Sequence, residues 1–522
     1  GSSMAIMKNG DTYTWGSNNN NKLGTTATKN QIYPTKLENV NTSISGDIGT
    51  DNGGIIDTQG FVYMWGLGTY GNLGNSLYNT SVEPVLVGAE EAGLDEYDII
   101  LHLGETHQIT VTNKTFNVLK EIQETGTINY NIGNSNIASI SNTGLVTGQK
   151  EEKTTAIVTK ADTGATSIAN VTVLPEGVEI EPMALTCMSH TVVLKANGTV
   201  WAYGLNSSYE LGNGTSISSD RPIQVSFPSN IKITQIAVGN THNLALDTEG
   251  NVWVWGVNSN NALGTKLKTT PSRLGISNVK KIAANNDQSM ILTKDGYVYV
   301  WGLNSNGELG VGTYKEVKTP TLLNYVNNIL DISIGKNHTM LLTTKGKVLT
   351  SGLNSYGQTG KTEGKTNIFT QIEVPATVGK ISAGDNHSVL LTTNGEVYTF
   401  GYNENGQLGL GTKTNVTIPT KTNMTNIMEI SAGRNHTVVL GANRVLYSTG
   451  SNSNGQLGIG TKDDKLLFTE ITKVQDMMSI SSGNTYNVAI KYDGNVYGWG
   501  DYYHGTASVK TKTNRLDFCK WN

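Results

Sequence analysis

The chain has 522 residues, 37% of them hydrophobic, which is enough for several cores, so more than one domain is expected. A formal charge of −4 with no Lys/Arg-rich tail or stripe leaves no electrostatic footprint for nucleic acid, and no apolar stretch reaches membrane-spanning length. Nucleic-acid binding and membrane insertion are therefore not expected, and two cysteines make neither a disulfide framework nor a metal site by themselves.

In chain order, Gly1-Ser2-Ser3 looks like a tag remnant, which would place any native targeting signal outside this sequence. A unit then recurs. A tight turn, Gly-bearing in eight of nine copies, is followed five residues later by an aromatic or small residue and then Gly, at Trp15, Trp65, Tyr203, Trp255, Trp301, Ser351, Phe400, Thr449 and Trp499. Apart from one gap the spacing is 46 to 52 residues, a period that marks a repeat architecture.

Each copy, such as Ile332 to Gly360, holds apolar runs of four to six residues separated by a polar break at Lys336-Asn337 and a Lys345-Gly346 turn, the pattern of short buried strands. Turn dipeptides such as Asn9-Gly10, Asn197-Gly198, Asp295-Gly296 and Asn394-Gly395 predict two-residue hairpins at positive φ, and only Asn443-Arg444 departs. A polar N-x-x-G-x-L-G stretch follows the Trp-Gly pair, as at Asn304 to Gly310, and a run such as Pro320 to Leu323 supplies a fourth, edge strand. Four short antiparallel strands per unit of about fifty residues describe a propeller blade, whose apolar faces are buried only when neighbours stack.

These units resemble regulator of chromosome condensation repeats. The family's G-x-x-H element is carried by Gly239 to His242, Gly335 to His338, Gly384 to His387 and Gly433 to His436, and its W-G-x-N-x-x-G-Q-L-G element by the stretches above. Departures are Asn52, Gln288 and Tyr486 at the His position and Tyr203, Ser351, Phe400 and Thr449 at the Trp position.

Between Trp65 and Tyr203 the numbering advances by 138, one repeat plus an extra segment with period-two patterning and frequent turn residues, a β-sandwich pattern. Leu103-Gly104-Glu105, Ser135 to Ser141, Gly144 to Gly148 and Val171-Thr172-Val173 resemble the bacterial immunoglobulin-like domain, group 2. The expected fold is thus all-β: two repeats at 4–91, the first incomplete, an immunoglobulin-like β-sandwich at 92–178, and a seven-bladed β-propeller at 179–522. Residues 4–91 belong either to a second propeller or to one larger ring. The inserted module is expected to serve as spacer or second contact. Cys187 and Cys519 fall in the first and last downstream repeats, so they form either a disulfide across the seam of a closed ring or two free thiols.

Candidate chemistry is sparse. His190, His242, His338, His387 and His436 share one repeat position, and Asn, Gln and Tyr at equivalent places fit a structural hydrogen-bonding role, each tip bonding backbone within its own blade, better than a metal ring. No phosphate-binding loop, Ser-His-Asp, Cys-His or HExxH constellation stands out, and Lys462-Asp463-Asp464-Lys465 has the composition of a solvated loop. No catalytic residue, metal or cofactor is expected, and the chain is expected not to be an enzyme. Positions that differ between copies are more informative: Tyr209, Tyr314, Tyr356, Tyr502 and Tyr503 offer amphipathic contact area with few rotors.

The expected function is a non-enzymatic binding module of an exported bacterial surface or secreted protein, its propeller loop face engaging a protein or glycan partner. The resemblance also implies two alternatives, an enzyme inhibitor similar to β-lactamase inhibitor protein II and a guanine-nucleotide exchange factor acting on a small GTPase. The exchange-factor class implies a basic chromatin-binding tail, which this charge balance does not suit. Partner identity and oligomeric state are left open by the sequence.

Overall fold

A computed structural model describes residues 2–25, 29–37, 43–49, 51–57, 62–67, 81–86, 91–94, 96–114, 127–151, 153–161, 166–174, 180, 182–186, 190–362, 364–491, 496–501 and 515–520. Among these there is no α-helix, and no helix long and apolar enough to cross a membrane; two short 3-10 turns aside, the elements are β-strands. The chain forms two compact units, one of residues 1–96, 109–130 and 157–167, the other of 97–108, 131–156 and 168–522.

In the first unit, Ser2–Ile6, Thr12–Gly16 and Gln31–Lys36 form a three-stranded sheet, and Ser43–Ile48, Asn52–Asp57, Val62–Gly66 and Ser81–Leu86 a four-stranded one. Trp65 is fully buried against Leu37 and Ile55, and its indole N–H donates to Lys22 O at 2.8 Å.

In the second unit seven four-stranded antiparallel sheets follow one another among the described residues, each in chain order. They open with Met183–Thr186, Ile233–Val238, Val279–Asn285, Ile329–Ile334, Val378–Ala383, Ile427–Ala432 and Met477–Ser482. Second strands such as His387–Thr392 are buried along their whole length, because a sheet stacked on both faces has no solvent side. Outer strands such as Val317–Leu322 are largely exposed, and Pro320 sits there without costing a ladder bond. Neighbouring sheets share cores, as do the first and seventh, where Ala184, Val193 and Tyr203 pack with Met478, Val488 and Ile490.

The hairpins differ from expectation in one respect. Gly10, Gly198, Gly250, Gly296, Gly346 and Gly395 take positive φ but the residues before them do not. Gly198 N–H donates to Lys195 O and Lys195 N–H to Thr199 O, so the loop is Ala196-Asn197-Gly198. These are three-residue loops, a turn closed by a left-handed glycine. At the exceptional turn Arg444 takes the left-handed place itself, at φ 63.

The aromatic position carries a second regularity. In the sheets with Trp255, Trp301 and Trp499 the indole N–H reaches a carbonyl of the preceding sheet, Glu210 O, Ala262 O and Gln456 O at 2.9, 2.7 and 3.0 Å. Where Ser351 and Thr449 replace Trp, their hydroxyls donate instead to Gly307 O and Gly406 O at 2.8 and 2.9 Å. The lost volume is refilled from the outer strand. Phe369 and Phe468 stand where Pro320 stands in its strand, and they crowd Gly310 and Gly409 as Trp301 crowds Gly264.

The part of the inserted segment that belongs to the second unit packs into the hairpin end of the sheets rather than standing apart as a spacer. Asp98–His102 runs parallel beside residues 170–174, and Thr106–Gln108, Leu145–Gly148 and Ala138–Ile140 form a three-stranded sheet. Ile137 and Val173 join the core of Met428, Met477 and Ile480, and Ile168 that of Leu330 and Val378. Ile168 N–H donates to Thr344 O, Lys153 pairs with Glu429 at 3.4 Å, and the Arg444 guanidinium donates to Glu151 O.

Candidate functional site

Strand direction alternates within each sheet, so the G-x-x-H loop between strands one and two and the N-x-x-G loop between strands three and four emerge at the same end, opposite the hairpins. Everything nonrepeated at that end is a candidate.

The five histidines are fully buried, and each Nε2 meets a side chain of the following sheet, not backbone of its own as expected. The partners are Asn243 Oδ1, Ser289 Oγ, Ser388 Oγ, Thr437 Oγ1 and Asn487 Oδ1 at 2.8, 2.8, 2.8, 3.0 and 2.8 Å. Each partner in turn donates back to a loop carbonyl of the histidine's own sheet, Glu210, Ala262, Gln358, Gln407 and Gln456. With its own donor so used, the partner accepts, and Nε2 must carry the proton. Burial without a partner at Nδ1 holds the imidazoles neutral, with pKa lowered to about 4 at His190 and His436 and about 3 at His242, His338 and His387. Gln288 and Tyr486 serve the same junctions differently: Gln288 Nε2 donates to Lys336 O of the next sheet, and Tyr486 OH to His190 O, from the seventh sheet to the first. Among the described residues no cluster of His, Cys, Asp or Glu is arranged to hold a metal.

The loop tips hold the tyrosines. Tyr356 and Tyr402, from adjacent sheets, meet edge to face with centroids 4.8 Å apart, and Tyr402 OH donates to Glu404 Oε2 at 3.0 Å. Burial and that carboxylate push the Tyr402 phenol up. Tyr314 is exposed, with Lys365 Nζ 4.5 Å above its ring. Tyr209 is half-buried at φ 62, a left-handed place where Gly307, Gly357, Gly406 and Gly455 stand in other copies. Tyr402 was missed by sequence reasoning; its signal is an aromatic directly after the repeat's Gly, where other copies have Leu205, Val257, Leu303, Leu353 and Ser451. Tyr502, Tyr503 and Cys187 lie outside the described residues, and Cys519 stands opposite Gly498 in the last strand.

At the same end the residues at the second position of the G-x-x-H element surround the mouth of a central cavity of about 430 Å³, Asn285 standing in place of the glycine in one copy. They are Asn240, Asn286, Lys336, Asp385, Arg434 and Asn484. Asp385 Oδ2 lies 4.0 Å from Lys336 Nζ and 3.6 Å from Arg434 Nε. Burial raises the Asp385 pKa against the pull of both cations.

Residues 214–519 match the family model described as RCC1-like domain, more than half of the chain. The chain belongs to the RCC1-like domain family. Residues 9–47 match the regulator of chromosome condensation (RCC1) repeat and residues 95–171 the bacterial Ig-like domain, group 2. The chain is 28% identical over 264 residues to the ultraviolet-B receptor UVR8 of Arabidopsis thaliana, covering 50% of this chain and 52% of that protein. The curated relatives it matches first are thus spanned over about half of their length or less. Among solved structures it is similar to Prp20p of Saccharomyces cerevisiae, studied for its binding to Gsp1p and histones, at 27% identity and TM-score 0.57, over 65% of this chain and 87% of that one. It is likewise similar to yeast RCC1 (Prp20) bound to Kap60, at 26% identity and TM-score 0.57, over 65% and 85%. The RCC1-like chain therefore carries the propeller fold of that family.

Proposed function

We propose that this RCC1-like chain is a non-enzymatic binding protein whose loop end engages a protein partner through Tyr209, Tyr314, Tyr356 and Tyr402. The observation that carries this reading is the Tyr356–Tyr402 pair, aromatic area held rigidly on two neighbouring loops. The yeast proteins of the same fold are described with protein partners, Gsp1p, histones and Kap60, which favours a protein over a glycan. Seven blades closing one ring is part of the proposal, supported by the Tyr486 to His190 bond and the shared core of first and last sheets. So is an immunoglobulin-like sandwich in the inserted segment, whose residues in the second unit pack at the hairpin end and leave the loop end for binding. Export to the surface of a bacterium, or secretion from it, completes the reading, supported by the match to a bacterial Ig-like domain.

The test is quantitative capture from bacterial-surface and host-surface protein extracts, with a glycan array in parallel. Wild type, the Tyr356→Ala/Tyr402→Ala double variant and a hairpin-end control, Tyr297→Ala, are compared. A protein enriched by wild type and the control but lost with the double variant supports the proposal. Equal enrichment by all three, or turnover of a glycan, defeats it.

A further inference from the structure

The central cavity offers a second site, formed by residues other than the loop tyrosines. Its volume, about 430 Å³, is within the range of small-ligand sites. Ile236, Ile282 and Ile332 contribute apolar wall. Strand-edge N–H groups along the wall are already satisfied: Ala383 by Ser333 Oγ, Ala432 by Ser382 Oγ and Ser482 by Ser431 Oγ, at 2.9, 3.0 and 2.8 Å. Toward the hairpin end charges are paired, Lys281 with Asp331 and Lys153 with Glu429. A ligand's charge would therefore be felt at the mouth.

There two cations flank one carboxylate. Neither reaches Asp385 within the 2.7–2.9 Å or so of a charge-assisted hydrogen bond, so their donors are not spent on it. Both side chains are half-exposed, 44% at Lys336 and 50% at Arg434. None of the three side chains takes part in the histidine relays, and other copies place Asn at the same position, so the scaffold does not require charge here.

We propose that this cavity binds a carboxylate carried on an apolar stem, the carboxylate in the fork of Arg434 and beside Lys336, the stem against the isoleucine wall. A planar guanidinium matches a carboxylate with two parallel bonds, which an ammonium cannot do. The source is either a free medium-chain acid or an acidic side chain at the tip of a partner's loop. The site goes beyond the tyrosine surface and does not depend on it.

Calorimetry on the full chain tests this with octanoate, octanol and octylamine, and with a cyclic peptide presenting Leu-Glu-Leu at its tip. The expected result is binding of octanoate or the peptide, with octanol and octylamine weaker by about tenfold or more, the scale of one charged hydrogen bond. Arg434→Gln lowers affinity by a similar factor, whereas the Tyr356→Ala/Tyr402→Ala double variant leaves it unchanged. Octanoate alone identifies a free acid, the peptide alone a presented side chain, and both together one site open to either. Arg434→Lys, which keeps the charge without the fork, serves should the Gln variant not fold, and also weakens binding. Absence of binding by both probes, octanol or octylamine matching octanoate, or Arg434 variants without effect would overturn the proposal.

Discussion

Glu308, like Glu210 in the first sheet of the second unit, puts a buried carboxyl where three other copies carry Gln. Gln358, Gln407 and Gln456 fill its place elsewhere and accept a backbone N–H through Oε1, as Glu308 does from Asn306 through Oε2. Glu308 is fully buried, and burial pushes its pKa from 4.5 up to about 7. A carboxyl raised in the folded state costs stability that grows as pH rises from about 4.5 to about 7 and is constant above. Glu308→Gln is therefore expected to stabilise at pH 8 by up to roughly 3 kcal/mol and hardly at pH 5, measured by urea unfolding at both. Tyr209 invites the opposite bargain: Tyr209→Gly relieves a left-handed side chain of about 1 kcal/mol while weakening partner capture. Unchanged or stronger capture would remove Tyr209 from the binding surface. The variable tyrosines were legible as departures from the repeat. The environment of Glu308 was not, because Glu and Gln are interchangeable in the motif and only packing separates them. The histidine partners were hidden for another reason: each lies on the following sheet, about fifty residues on, where no local pattern ties it to the histidine.

At the scale of elements, strands were legible from apolar runs and turn residues, since both follow from local sterics. Loop length was not, because the same Asn-Gly pair can close a two-residue or a three-residue hairpin and only backbone φ decides. The exchange between third and fourth strands was also invisible copy by copy. Phe369 fills the space that Ser351 leaves, so Ser351→Trp is expected to overpack, Phe369→Pro to leave a hole, and each alone to cost about 2–4 kcal/mol. Together they recreate the Trp301–Pro320 arrangement. A double-mutant cycle by urea unfolding should show the pair at least about 1 kcal/mol better than the sum of the singles. Strict additivity would mean that the two positions do not share one space.

For the whole molecule, five buried neutral histidines set the response to acid. Their folded pKa values, about 3 to 4, lie below the unfolded 6.5, so their contribution is fully present above pH 6.5 and is lost as pH falls toward 4. At pH 5 each gives up about 2 kcal/mol, together more than the opposite trend of Glu308. The urea midpoint should fall steeply between pH 7.5 and 5; a flat or rising midpoint would mean that the histidines accept protons in the folded state. The part of the inserted segment that belongs to the second unit packs at the hairpin end, and the variable tyrosines gather at the other. Hydrogen–deuterium exchange of the captured partner's complex tests that division most directly. Protection over the loops around Tyr209, Tyr314, Tyr356 and Tyr402, with the hairpins unchanged, is the predicted result. Protection over the hairpins around Gly296, Gly346 and Gly395 instead would contradict it.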